Sequence, residues 1–217
     1  YMTPVIYLSE GYLANAAEPW KLPNLADLPK ITITHPKASK EAFMPYQRDP
    51  ETLARPWAIP GTPGLEHRIG GLSKADITGN VSYDPDNNQR MMELRAEKIR
   101  RIANDIPDLE IRGPQSGKLL VIGWGGSFGP ISQAVNDLSD EGIKVSQIHL
   151  TYLNPFQKNL GEIIKKFEKV LVPELNMGHL LMLLRFHFPG IQAIGFNKVQ
   201  GQPFKVAELI NKIKEVL

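Results

Sequence analysis

Hydrophobic positions are spaced differently in the two halves of the chain. From residue 117 onward, short apolar runs alternate with helical periodicity. Lys118-Leu119-Leu120-Val121-Ile122-Gly123-Trp124 reads as a buried strand, and Ile131, Val135 and Leu138 mark a helix that stops near Gly142. Lys144–Leu150 is a second strand, with Val145, Ile148 and Leu150 alternating. Leu160, Ile163, Ile164 and Phe167 predict a second helix, and Lys169–Pro173 a third strand. Leu180, Leu181, Leu183 and Leu184 lie on a third, nearly all-apolar helix; Ile191–Phe196 is a fourth strand; Val206, Leu209, Ile210, Ile213 and Val216 give a final amphipathic helix. This alternation predicts an α/β fold, a mostly parallel sheet covered by helices. Ligands of such sheets sit beyond the carboxyl ends of the strands, which singles out residues 123–129, 152–155 and 173–178.

The first half has no such rhythm. Ten of the chain's 18 prolines fall between Pro19 and Pro85, and proline both removes a ladder donor and breaks helices. Pro4-Val5-Ile6-Tyr7-Leu8 is expected to be a buried strand, either the last one of a domain lying upstream or an edge strand of this one, and Lys30–Thr34 a short strand. Arg55–Gly71 is a long loop by local rules. It carries Trp57, Leu65 and Ile69, so it is expected to be ordered, with its aromatic and aliphatic side chains buried and Gly61, Gly64, Gly70 and Gly71 at positive φ or at places of close backbone approach. Asp84-Pro85-Asp86 is a turn into a helix over residues 90–106, whose apolar face holds Ile99, Ile102 and Ile106. Arg90, Arg95, Lys98, Arg100 and Arg101 crowd the rest of that helix, as a solvated basic face or as an anion-binding one.

Composition narrows the function. Of 217 residues, 42% are hydrophobic, enough for a core, and the net charge of +2 argues against a non-specific nucleic-acid binder. The absence of cysteine excludes disulfides, cysteine nucleophiles and cysteine-ligated iron–sulfur clusters within these 217 residues. No apolar run approaches the roughly 20 residues of a membrane-spanning helix.

Two sequences carry candidate chemistry. Gly123-Trp124-Gly125-Gly126-Ser127-Phe128-Gly129 follows a strand and opens a helix, the setting of a phosphate cradle. The dinucleotide spacing fails, because Phe128 stands where a third glycine belongs, so a tight turn is the competing reading of Gly125, Gly126 and Ser127. Pro173-Glu174-Leu175-Asn176 places an acid and an amide at a strand end. Glu174 is there either as a general acid or base, or as a helix cap or subunit contact. His67, His149 and His179 are scattered, and no metal-ligand spacing occurs.

Several longer motifs resemble one family. Thr3–Asn15 with Glu18-Pro19-Trp20 is similar to the end of the pyrimidine-binding domain in alpha subunits of 2-oxoacid:ferredoxin oxidoreductases, the 2-oxoglutarate type above all. Arg55-Pro56-Trp57, Gly64-Leu65-Glu66-His67-Arg68-Ile69-Gly70-Gly71 and Thr78–Pro85 resemble that family's signature loop, as do Asn154-Pro155-Phe156, Pro173–Gly178 and Asn197–Phe204 in their places. The family often has His at the position of Asn88, Glu at Ser73 and Gln at His179, so no proton-transfer role carries over to residue 88. The resemblance implies three segments: 1–25, the end of a pyrimidine-binding domain; 26–116, a connecting segment; 117–217, a transketolase C-terminal-like domain. It implies a cytoplasmic enzyme that converts a 2-oxoacid and coenzyme A to acyl-CoA and CO2 while reducing ferredoxin. Thiamine diphosphate, Mg²⁺ and iron–sulfur clusters would be held mainly by a beta subunit, with a gamma subunit as a further partner, and these 217 residues would be inactive alone. Neither nucleic acid nor membrane is an implied partner. Arg55, His67, Arg68, Gly70, Gly71, Gly125, Gly126, Ser127, Glu174 and Asn176 become candidates for contacts to substrate, coenzyme A or a neighbouring subunit.

Overall fold

The computed structural model describes every residue except Glu18. The Glu18 position of the Glu18-Pro19-Trp20 motif therefore lies outside the described residues. The chain forms two compact units, one of Tyr1–Ile6 with Ala17–Asp105, the other of Tyr7–Ala16 with Ile106–Leu217. The helices are α1 (Gly11–Asn15), α2 (Pro85–Arg101), α3 (Phe128–Asp140), α4 (Leu160–Ile164), α5 (His179–His187) and α6 (Val206–Val216). The strands are β1 (Gly117–Trp124), β2 (Ser146–Leu150), β3 (Phe167–Glu174) and β4 (Ala193–Asn197).

The second unit is the expected α/β fold. Its strands run in the order β2-β1-β3-β4 and every pairing is parallel. Alternation along β1 divides the core. Leu120 and Ile122 join Ile148, Val170 and Val172 under Leu160 and Ile163 of α4 and Leu180 and Leu184 of α5. Leu119 and Val121 join Leu171 under Ile131 and Leu138 of α3 and Leu209 and Ile213 of α6. Burial on both faces explains why the strands are continuous apolar runs rather than alternating ones. Each fully buried aliphatic side chain contributes about 1.5–3 kcal/mol.

Three elements differ in detail from their sequence pattern. The helix at Leu160 ends at Ile164, and Phe167 instead opens β3, because its ring joins the apolar cluster from the strand. Strand β2 begins at Ser146, after the apolar Val145. On α5 only Leu180 and Leu184 are buried, while Met182, Leu183 and Phe186 are exposed, so its apolar character exceeds what this unit covers.

In the first unit, α2 starts five residues ahead of the expected position. Asp84 accepts a hydrogen bond from the Asp86 N–H and Pro85 occupies the first turn, where its missing donor costs nothing. A single 3₁₀ turn, Ile102–Asn104, closes the helix. Pro4–Leu8 is not an edge strand of the parallel sheet: no described strand pairs with it, and Val5 and Ile6 are exposed. Lys30–Thr34 is not a strand, and Ile31 is exposed as well. Arg55–Gly71 contains no regular element, as expected, and its four glycines take positive φ. The expectation that Trp57 and Ile69 are buried is overturned; of the loop's large apolar side chains only Leu65 is buried, and Ile69 is 73% exposed.

What holds this loop is polar. The Lys74 ammonium, 6% exposed as a residue, donates to the carbonyls of Gly70 (2.7 Å), Gly71 and Leu72 (3.1 Å). Gly70 and Gly71 are both left-handed, at φ 66° and 51°, which turns their carbonyls toward one point. Asn87 clamps the next stretch, accepting from the Asp76 N–H and donating to the Lys74 carbonyl, each at 2.9 Å. Asp76 in turn pairs with Arg48 and Arg90, both at 2.9 Å.

Candidate functional site

The strand order reverses between β1 and β3: the chain leaves β1 for β2 on one side, then crosses to β3 on the other. A crevice beyond the carboxyl ends of those two strands is where open α/β sheets bind ligands. A cleft of about 280 Å³ lies there, lined by the β1 and β3 ends and by residues 8–13. It brings together five of the ten sequence candidates: Gly125, Gly126, Ser127, Glu174 and Asn176.

Each of the three side chains among them is engaged by its own backbone. Ser127 is buried; its hydroxyl donates to the Trp124 carbonyl at 2.8 Å and accepts from the Trp124 N–H at 3.1 Å. That exchange locks Gly125–Ser127 into one 3₁₀ turn ahead of α3. Glu174 is 1% exposed, and its two carboxylate oxygens accept the N–H groups of Leu180 (2.8 Å) and Leu181 (3.0 Å). The Asn176 side-chain oxygen accepts from Gly178 and His179 at 2.8 and 2.9 Å. Between them they satisfy four donors at and just before the start of α5, where the helix dipole favours negative charge. Helix capping is therefore the observed arrangement of Glu174, and neither carboxylate oxygen lacks a partner.

The glycine turn is a place of close approach. A Cβ on Gly126 would collide with the Glu10 carboxylate, and a Cβ on Gly123 would meet Ile131 at 2.7 Å. The cleft thus carries two carboxylates, Glu10 over the glycine turn and Glu174 across from it. Such a setting repels a diphosphate. Among the described residues no three His, Cys, Asp or Glu side chains come together as a metal site.

The other five candidates belong to the first unit. The Arg55 guanidinium lies over the Tyr46 ring at 4.3 Å. His67 is hydrogen-bonded through Nδ1 to the Leu65 carbonyl at 2.8 Å and meets Phe43 edge-on. Arg68 is exposed and forms no ion pair among the described residues. Gly70 and Gly71 offer their carbonyls to Lys74. Sequence reasoning missed Lys74 and Asp76, and also Lys198, which is 8% exposed, donates to the Glu208 carboxylate at 2.8 Å and so pins the turn before α6. Their isolated charges in polar stretches gave no periodic signal.

Comparison with known proteins places this architecture. No family model matches the chain. The 2-oxoglutarate oxidoreductase subunit KorA of Mycobacterium tuberculosis is 48% identical over 219 aligned residues, covering all of this chain and 33% of that protein. Subunit alpha of 2-oxoacid:ferredoxin oxidoreductase 2 from Aeropyrum pernix is 30% identical, again over the whole chain and 34% of its own length. The chain is related to the alpha subunits of 2-oxoacid:ferredoxin oxidoreductases. It spans about a third of the length of these curated relatives. Among solved structures, the 2-oxoglutarate:ferredoxin oxidoreductase of Magnetococcus marinus, with 2-oxoglutarate, coenzyme A and succinyl-CoA bound, superimposes with a TM-score of 0.75. It is 28% identical, and the match covers 86% of this chain and 34% of that one.

Proposed function

We propose that the protein is part of the alpha subunit of a 2-oxoglutarate:ferredoxin oxidoreductase, in which it frames the reaction rather than performing it. The assembled enzyme converts 2-oxoglutarate and coenzyme A to succinyl-CoA and CO2 and passes two electrons to ferredoxin. The observation that carries this reading is the 48% identity, along the entire chain, to the subunit from Mycobacterium tuberculosis. On this reading residues 1–25 end a pyrimidine-binding domain, 26–116 connect, and 117–217 form the transketolase C-terminal-like domain.

The site geometry supports the division of labour. Ser127, Glu174 and Asn176 hold the glycine turn and the α5 start in place, which leaves them no free role as nucleophile or base. The cleft's residues do not fit a diphosphate. Thiamine diphosphate with Mg²⁺, and the iron–sulfur chemistry, therefore fall to other parts of the enzyme, the beta subunit first. A cytoplasmic complex, with a gamma subunit where one exists, completes the proposal; no helix among the described residues is long and apolar enough to cross a membrane.

The test is to co-produce the complete alpha subunit containing this sequence with its beta subunit and to follow coenzyme A-dependent reduction of methyl viologen. Reduction is expected with 2-oxoglutarate and more slowly with pyruvate, and none from the 217-residue chain alone. A complex inactive with every 2-oxoacid, or decarboxylation by the chain alone, overturns the reading.

A further inference from the structure

The first unit holds a cleft of about 500 Å³ lined by five cationic side chains, Arg48, Arg55, Lys74, Arg95 and Lys98, and by no carboxylate. Two of the five charges are matched nearby. Asp76 pairs with Arg48, and three carbonyls surround the Lys74 ammonium. The other three have no carboxylate among the described residues. Arg55 lies on the Tyr46 ring, Arg95 touches only the Met92 sulfur, and Lys98 donates to the Met2 carbonyl at 3.1 Å. These cations strain one another. Burial first, and then Arg55, Arg48 and Arg95, push the Lys98 ammonium below its ordinary range. Arg55 and Lys98 are half-buried and Arg95 is exposed at the rim, and α2 and residues 46–55 bring the three to one cavity.

We propose that this cleft binds a phosphate-bearing organic anion, such as a nucleotide. Three unmatched positive charges call for a ligand of charge about −2 to −3, which a phosphate group or diphosphate supplies and one carboxylate does not. Two guanidinium forks, Arg55 and Arg95, suit phosphate oxygens, with the Lys98 ammonium as a point charge between them. The cleft is larger than a phosphate needs, and Leu72, Met91 and Leu94 give it an apolar wall for the organic part. Ser73 and Asn88 line it as neutral hydrogen-bonding groups. The proposal stands on the first unit alone and does not depend on the reaction assigned above.

The 217-residue chain is titrated at low ionic strength with ADP, inorganic pyrophosphate and citrate, the last a carboxylate anion of similar charge. Saturable ADP binding is expected, tighter than that of pyrophosphate, weakest for citrate, and falling with added NaCl. Arg95→Gln and Lys98→Gln should each weaken ADP about tenfold or more, while Arg100→Gln, exposed and paired with Glu97, leaves it unchanged. Without ligand, Lys98→Gln should raise the melting temperature, which also shows that the variant folds. Citrate binding as well as ADP, ADP binding unaffected by Arg95→Gln and Lys98→Gln, or no binding of either phosphate compound overturns the proposal.

Discussion

The two units reach order by different routes. In the second, Leu119, Leu120, Val121 and Ile122 are almost completely buried on alternate faces of one sheet, and backbone hydrogen bonds are made between strands. In the first, the buried apolar side chains are Leu53, Leu65 and Met91; with half-buried neighbours such as Ile99 they give a modest core, α2 is the only long regular element among the described residues, and side chains meet several of the backbone groups that lie outside it. Lys74 takes three carbonyls, Asn87 brackets Lys74 and Asp76, and Asp76 gathers two arginines. The contrast teaches that a proline-rich stretch can be specified without sheet or helix, provided its buried polar groups are fully engaged.

The comparison can be broken at its strongest point first. Leu171→Ala, in the middle of β3, removes a fully buried side chain and should cost about 3–5 kcal/mol, read as a lower urea midpoint for loss of the sheet. A cost under about 1 kcal/mol, below the usual range, would mean that the apolar cluster does not carry this unit. Asp76→Ala leaves the buried Arg48 guanidinium without its carboxylate. Its expected cost is about 2–3 kcal/mol, a discount on a fully buried pair because both groups keep some exposure, and hydrogen exchange should quicken over residues 70–90. Unchanged exchange there would refute the claim that ion pairs order the loop.

The smallest effect sharpens the account of the second unit. His149 is held below its ordinary pKa, mainly by burial and then by Arg112. A histidine kept neutral in the fold protonates more readily when unfolded, so stability should fall as pH drops through about 6.5 and level off below the folded value. His149→Gln should flatten that part of the pH–stability curve. A variant with the same acid limb as the parent would place the sensitivity elsewhere.

In the second unit the sequence by itself determined the strands, the helices and their alternation, because a strand buried on both faces must be written as an apolar run and a helix packed on it as a 3.6-residue stripe. It also placed Gly125, Gly126, Ser127, Glu174 and Asn176 at or just beyond strand ends. Only the tertiary structure decided that these ends meet at the β1–β3 switch point, since pairing order depends on contacts across some 50 residues of chain. It likewise decided that Glu174 caps α5 rather than waiting for a proton, that Pro4–Leu8 finds no partner strand, and that Lys74 and Asp76 anchor the first unit. A charge in a loop has no period. Its role is fixed by which carbonyls and guanidinium groups the fold brings within 3 Å.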